Sequence, residues 1–174
     1  KVVSESDQMR EILKTALKLA RLEVTDILLL GESGTGKGLL AKFIHNNSKR
    51  KAKPFIKINC AAVPENLLES ELFGHVKGAF TGAVKDQVGK FVTADKGTLF
   101  LDDVAVLPAA DQSRLLTVFE DGGYMSVAEN QNIKRLHDMT IIFSSNRVVD
   151  QLVKKGKFRK DLFYRMSVIS IKIP

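Results

Sequence analysis

The sequence predicts an α/β fold, a parallel sheet covered by helices on both faces. Three observations carry this. Short apolar runs alternate with helical segments along the chain, the order that builds strand–helix–strand units. One such run, Asp26–Leu30, leads into Gly31-Glu-Ser-Gly-Thr-Gly-Lys37 and then a helical segment. Another, Leu99–Leu101, ends in the paired carboxylates Asp102 and Asp103.

Taken in order, Ser6–Leu22 places Met9, Ile12, Leu13, Ala16, Leu17 and Ala20 at helical spacing. Asp26–Leu30 is a short apolar run closed by glycine and reads as a buried strand. The segment after Lys37 is helical to about Asn47. Pro54–Ile58 is a second strand. Pro64–Phe73 is a helix with proline in its first turn. Glycine density then rises at Gly74, Gly78, Gly82 and Gly89, which predicts a loop excursion. Gly97–Leu101 is a third strand. Pro108–Glu120 is a helix with Leu115, Leu116 and Phe119 on one face. Tyr124–Val127 opens a hairpin-like excursion. Thr140–Phe143 is a further buried strand, Leu152–Met166 is mostly helical, and Val168–Ile173 closes with a strand.

The 174 residues suffice for one domain with a sizeable core. No apolar run approaches the ~20 residues of a membrane helix. The first residues lack the apolar stretch of a signal peptide. Cys60 is the only cysteine, which excludes an internal disulfide and fits a reducing cytoplasm. The net charge is +7, with basic clusters at Lys49, Arg50, Lys51 and Lys53 and at Lys154, Lys155 and Lys157. Such runs read as solvated faces, with phosphate or nucleic-acid contact as the sharper alternative. His45, His75 and His137 lack partners at metal-ligand spacing and read as surface or packing residues.

Gly31–Lys37 matches the phosphate-loop pattern G-x-x-x-x-G-K in the right context, a strand before and a helix after. Glycines let successive N–H groups converge on an anion, and the helix start adds partial positive charge. Lys37 supplies a point charge for the outer phosphates. The candidate nucleotide contacts are Gly31, Glu32, Ser33, Gly34, Thr35, Gly36, Lys37, Gly38 and Leu39. Gly38 stands where a Ser or Thr would offer magnesium a hydroxyl. The loop and its flanking strand and helix predict a three-layer P-loop NTPase that binds a nucleotide, with ATP and Mg²⁺ as the expected cofactors. Asp102 is the candidate metal ligand.

Between the two motifs lies Gly74-His-Val-Lys-Gly-Ala-Phe-Thr-Gly-Ala83. With its GAFTGA core, Gly78–Ala83, the chain resembles bacterial enhancer-binding proteins, the AAA+ ATPases that activate sigma-54 RNA polymerase. The resemblance covers essentially the whole chain. It implies that Gly78, Ala79, Phe80, Thr81, Gly82 and Ala83 form a mobile tip that touches sigma-54. It implies that Asp103 prepares the attacking water, at a position where the family usually has the longer Glu. Asn59 corresponds to the residue that links nucleotide state to the loop, against a plain alternative of capping a strand end. Ser145 and Asn146 fall where the family senses the γ-phosphate, against simple strand-end hydrogen bonding. Arg159 and Arg165 correspond to arginines that complete a neighbouring subunit's site, against ordinary salt bridging. Val76 and Ser126 stand where the family usually has Glu and Arg, so an ion pair between two loops is expected to be lost.

The resemblance further implies a ring, hexamer or heptamer, in the full-length protein. Residues 1–174 would be its α/β part, with regulatory, helical-lid and DNA-binding regions outside them. DNA contact belongs to such a region, and no membrane is involved. Two other readings of the site remain: a nucleotide-binding switch with little hydrolysis, and an AAA+ remodeller of another partner.

Overall fold

The computed structural model describes residues 6–22, 24–129, 133–135, 138–146 and 148–174. Five parallel strands form the central sheet: β1 (Asp26–Leu30), β2 (Phe55–Asn59), β3 (Thr98–Asp102), β6 (Thr140–Ser145) and β7 (Ser170–Lys172). Their order is β2-β3-β6-β1-β7, so β1 lies between the last two strands of the chain. Two further short strands, β4 (Gly123–Tyr124) and β5 (Lys134–Arg135), pair antiparallel outside the sheet.

Strand side chains alternate between faces, and this divides the core in two. Ile27, Leu29, Phe100 and Ile142 face helices α1 (Asp7–Arg21) and α2 (Lys37–Asn46). Leu28, Leu99, Leu101, Ile141 and Phe143 face the other layer. That layer holds α3 (Glu65–Phe73), α4 (Lys90–Thr93), α5 (Ala109–Asp121), α6 (Val149–Lys154) and α7 (Lys160–Met166). Three layers result, as the sequence predicts. Central strands buried on both faces explain the near-continuous apolar runs.

Local chemistry sets the ends. Ser6 caps α1 by accepting a hydrogen bond from Met9 N at 3.2 Å. Pro64 takes the N-cap of α3 rather than its first turn. The expected helix over Leu152–Met166 is two helices. Gly156 adopts φ 66°, and the N–H groups of Lys157 and Phe158 both turn back to Leu152 O, ending α6. Helix α4 directly follows the glycine-rich stretch, with Gly89 as its N-cap. It forms because Phe91 buries itself against Phe73, rings stacked at 5.6 Å.

A member of each basic cluster has a structural partner. Arg50 is nearly buried and joins Thr140 Oγ1, the Lys96 and Asp138 carbonyls and the Asp138 carboxylate. Lys154 pairs with Asp150 one turn away. His45 packs in the core with Nδ1 2.9 Å from Thr98 Oγ1, and burial holds its pKa down. His137 lies outside the described residues.

Candidate functional site

The carboxyl ends of β1, β2 and β3 meet at one edge of the sheet, where parallel α/β folds bind ligands. A cleft of about 470 Å³ opens there. Ser33, Gly34, Gly36, Lys37, Gly38, Leu39, Lys57, Asn59, Asp102 and Asp103 line it. Register explains the convergence: Asn59 lies opposite Asp102 across the β2–β3 pair.

The phosphate loop is shaped from within. Gly36 caps α2 with φ 88°, a backbone that a side chain would strain. Gly31 N donates to Ser145 O, and Thr35 Oγ1 donates to Glu32 O at 2.9 Å. Lys37 is 7% exposed and donates from Nζ to Gly31 O and Glu32 O at 2.8 and 2.6 Å. Its ammonium is thus held at the loop by carbonyls, ready to turn to an anion. Glu32 and Thr35 contribute to loop geometry rather than to the cleft wall.

Asp102 ends β3 in a half-buried position. One carboxylate oxygen accepts a hydrogen bond from Ser144 Oγ, and the other lies 3.2 Å from Lys57 Nζ. Asp103 follows with φ 58° and ψ 50°, a left-handed conformation that aspartate tolerates better than most residues. Its N–H donates to the same Ser144 hydroxyl at 3.2 Å. Ser144, fully buried, therefore fixes both acidic residues. Such backbone strain clusters at functional sites. The Asp102 carboxylate would suit Mg²⁺ beside bound phosphates, because that ion keeps several waters and takes one or two carboxylates. Gly38 offers no side-chain ligand, so Asp102 and the bound phosphates would carry the metal.

Asn59 lines the cleft, but its side-chain oxygen accepts from Ala61 N at 2.9 Å, a turn-stabilising bond. Ser145 is buried at the end of β6 beside Gly31, and Asn146 is exposed just beyond it. The sequence motifs do not include Lys57 or Ser144, although each carries a weaker signal. Lys57 is the charged residue in the strand Phe55–Asn59, which is a signal. Ser144 sits in the polar strand end that the sequence does mark, one residue earlier. Cys60 lies beneath the cleft with its thiol pushed up to about 12, chiefly by burial and then by Asp102 and Asp103, so it stays protonated.

Arg159 and Arg165 do not line this cleft. Arg159 makes a two-pronged bond to Asp161 and donates to Ser113 Oγ at 3.0 Å. The guanidinium holds the Asp161 carboxyl below the usual carboxylate range. Arg165 lies 3.9 Å from Asp26, above the Phe119 ring.

The glycine-rich excursion is a stem with a small tip. His75 and Gln87 exchange two backbone bonds at 3.0 and 2.8 Å. Gly74 and Gly89 cross at the neck, each leaving no room for a Cβ on the other. Inside, Gly78 N bonds Ala83 O and Lys77 N bonds the Asp86 carboxylate. His75 is buried, with Nδ1 2.5 Å from Ser70 Oγ and Nε2 3.0 Å from Lys85 O. Phe80 is expected to be an exposed apolar tip. It is exposed, at 37%, with its ring partly shielded edge-on by His75, centroids 4.9 Å apart. Thr81 faces solvent and Ala83 is buried. Toward the second excursion, backbone bonds run between Val127 and both Gly74 and Val76, and Ser126 accepts from Lys134 Nζ. Backbone contacts thus join the two loops where Val76 and Ser126 offer no ion pair.

Residues 2–172 match the family described as the Sigma-54 interaction domain. The Nif-specific regulatory protein of Azotobacter vinelandii is 47% identical over 173 residues, 99% of this chain and 33% of the relative. Regulatory protein AtoC of Escherichia coli K12 is 47% identical over the same length, 37% of that protein. The chain thus spans about a third of the length of these relatives. NtrX of Brucella abortus, solved in complex with ATP, superposes with a TM-score of 0.90 at 32% identity, over 100% of this chain and 37% of NtrX. The P-loop NTPase domain of a sigma-54 activator from E. coli shares the fold at a TM-score of 0.64 and 16% identity, covering 98% of this chain and 97% of that one.

Proposed function

The chain belongs to the Sigma-54 interaction domain family, and from that premise we propose that it couples ATP hydrolysis to activation of sigma-54 RNA polymerase. ATP binds across Gly31–Leu39, and Mg²⁺ supplies charge at Asp102. Asp103 orients the attacking water, and Ser145 and Asn146 sense the terminal phosphate. Arg159 and Arg165 leave their intrachain partners and reach a neighbouring subunit's nucleotide in a hexameric or heptameric ring. Neutralising the transferring phosphate in this way can supply ~10³–10⁵ in rate. DNA contact through a region beyond these residues and a cytoplasmic location go with this reading.

One observation carries the coupling. Asn59, in the cleft, leads through a single turn and α3 directly into the neck at Gly74. A shift at the nucleotide therefore has a short, covalent route to the GAFTGA tip, with α3 as the lever. Thr81 and Phe80 then meet sigma-54, and Phe80 comes off His75 to do so.

Capture of sigma-54 by the full-length protein tests this. Retention is expected with an ATP transition-state analogue and not without nucleotide. Failure to retain sigma-54 in any nucleotide state would overturn the partner and leave a remodeller of another protein. A second reading, a nucleotide-binding switch with little hydrolysis, is favoured by Gly38 and by the short Asp103. ATP turnover of the assembled full-length protein decides between the two.

A further inference from the structure

We infer that Lys57 is a tethered cation of the nucleotide cleft, one that competes with magnesium for Asp102 and lets nucleotide bind without the metal. This rests on the nucleotide-site reading above and adds to it a residue that the phosphate-loop pattern does not contain.

Three observations place the lysine there. Its ammonium lies 3.2 Å from one Asp102 oxygen, while Ser144 occupies the other. Both oxygens of the carboxylate assigned to the metal are therefore already engaged by donors from the chain. Next, the lysine sits opposite Phe100 in the β2–β3 register, its Nζ 5.5 Å from that ring, so the stem has a platform on the sheet. Third, a Cβ built at Gly38 would lie 3.8 Å from Lys57 Nζ and 3.6 Å from Phe100. The missing side chain at position 38 opens the space beside the ammonium.

The consequence follows from charge. Without a cation, the Asp102 carboxylate would face an incoming triphosphate as a like charge and weaken its binding. The Lys57 ammonium neutralises Asp102 and adds a donor on the phosphate side of the cleft. With its side chain 49% exposed, it can swing aside when a metal arrives. Metal-free nucleotide should bind nearly as well as the metal complex, and magnesium should gain less here than at a site whose carboxylate is free.

The readout is the ratio of affinities for a non-hydrolysable ATP analogue in magnesium and in EDTA, measured by calorimetry on the full-length protein. The parent ratio is expected within about threefold. Loss of one charged contact is worth about tenfold, so Lys57→Met should raise the ratio by about tenfold, through weaker binding in EDTA and unhindered metal binding at Asp102. Lys57→Arg should restore the parent ratio. Lys57→Gln provides a second neutral variant, and a half-exposed site on an edge strand should accept each of them. An unchanged ratio in both neutral variants overturns this inference alone. A parent protein that binds no nucleotide in either buffer overturns it together with the site.

Discussion

In the cleft, the reactive side chains hang from strand ends of the central sheet; in the 74–89 excursion, the backbone bonds mostly to itself. Asp102, Asp103 and Asn59 are positioned by register across β2, β3 and β6, and Ser144 ties the two acids to a buried strand. The excursion is closed at its neck by the His75–Gln87 pair and held below its tip by the His75 ring. The cleft is thus built for fixed geometry, as the proposed phosphoryl transfer would require. Most of the excursion's backbone bonds stay within it or run to Val127 and Ser70, and among the described residues none runs to the strands of the central sheet. In the proposed function, that separation would let one end do chemistry while the other changes partners.

The largest effect that would separate them is at Lys37. Lys37→Ala removes the buried ammonium, and nucleotide affinity should fall about a hundredfold or more, as expected for the loss of more than one charged bond. Titration calorimetry reads it, and unchanged affinity would place the nucleotide elsewhere. Amide exchange in the excursion of the nucleotide-free protein should stay as in the parent.

Asp103→Asn keeps the left-handed backbone and removes the carboxylate proposed to act on the attacking water. Turnover in the full-length assembly should drop by about a hundredfold with binding intact. Equal turnover would show that Asp103 serves only the turn.

Thr81→Ala acts on the other region. ATP hydrolysis should persist while open-complex formation falls by about tenfold, the loss of one contact at the centre of an interface. Promoter opening at the parent rate would remove the tip from sigma-54. Loss of hydrolysis as well would mean that the tip and the cleft are not separable.

His75→Ala probes what holds the tip. It leaves Ser70 and the Lys85 carbonyl without their partner and takes the ring from beneath Phe80. Hydrogen exchange across 75–87 should speed by about tenfold, with β1 and β3 unaffected. Spread of the change into the strands would show one cooperative unit.

The smallest effect concerns the packing of α5 against α3. Asp111, at the start of α5, has its carboxyl pushed up to about 6 by burial and then by the charge of Glu69 on α3, with Arg114 pulling the other way. The folded chain therefore keeps a proton that the unfolded chain releases near pH 4. Stability contributed by this group falls as pH rises from about 4 to about 6. Asp111→Asn should raise Tm by a few degrees near pH 7.5 and leave it unchanged near pH 4. Melting curves at the two pH values check the sign.

The sequence by itself determined the layered α/β fold, the phosphate loop and its lysine, the acidic strand end and the excursion with its GAFTGA tip. Each is written in a local window: an alternation of periods, a glycine spacing, a run ending in carboxylates. The tertiary structure decided what those windows cannot contain. Lys57 and Ser144 come to Asp102 from strands 45 and 42 residues away in sequence, because β2 and β6 flank β3. Phe80 is partly shielded by His75, which turns inward onto Ser70. The helix expected over Leu152–Met166 breaks at Gly156, and Arg159 and Arg165 find Asp161 and Asp26 within their own chain. Side chains distant in sequence meet through strand pairing and packing, and that pairing is set by the whole buried core rather than by any one segment of it.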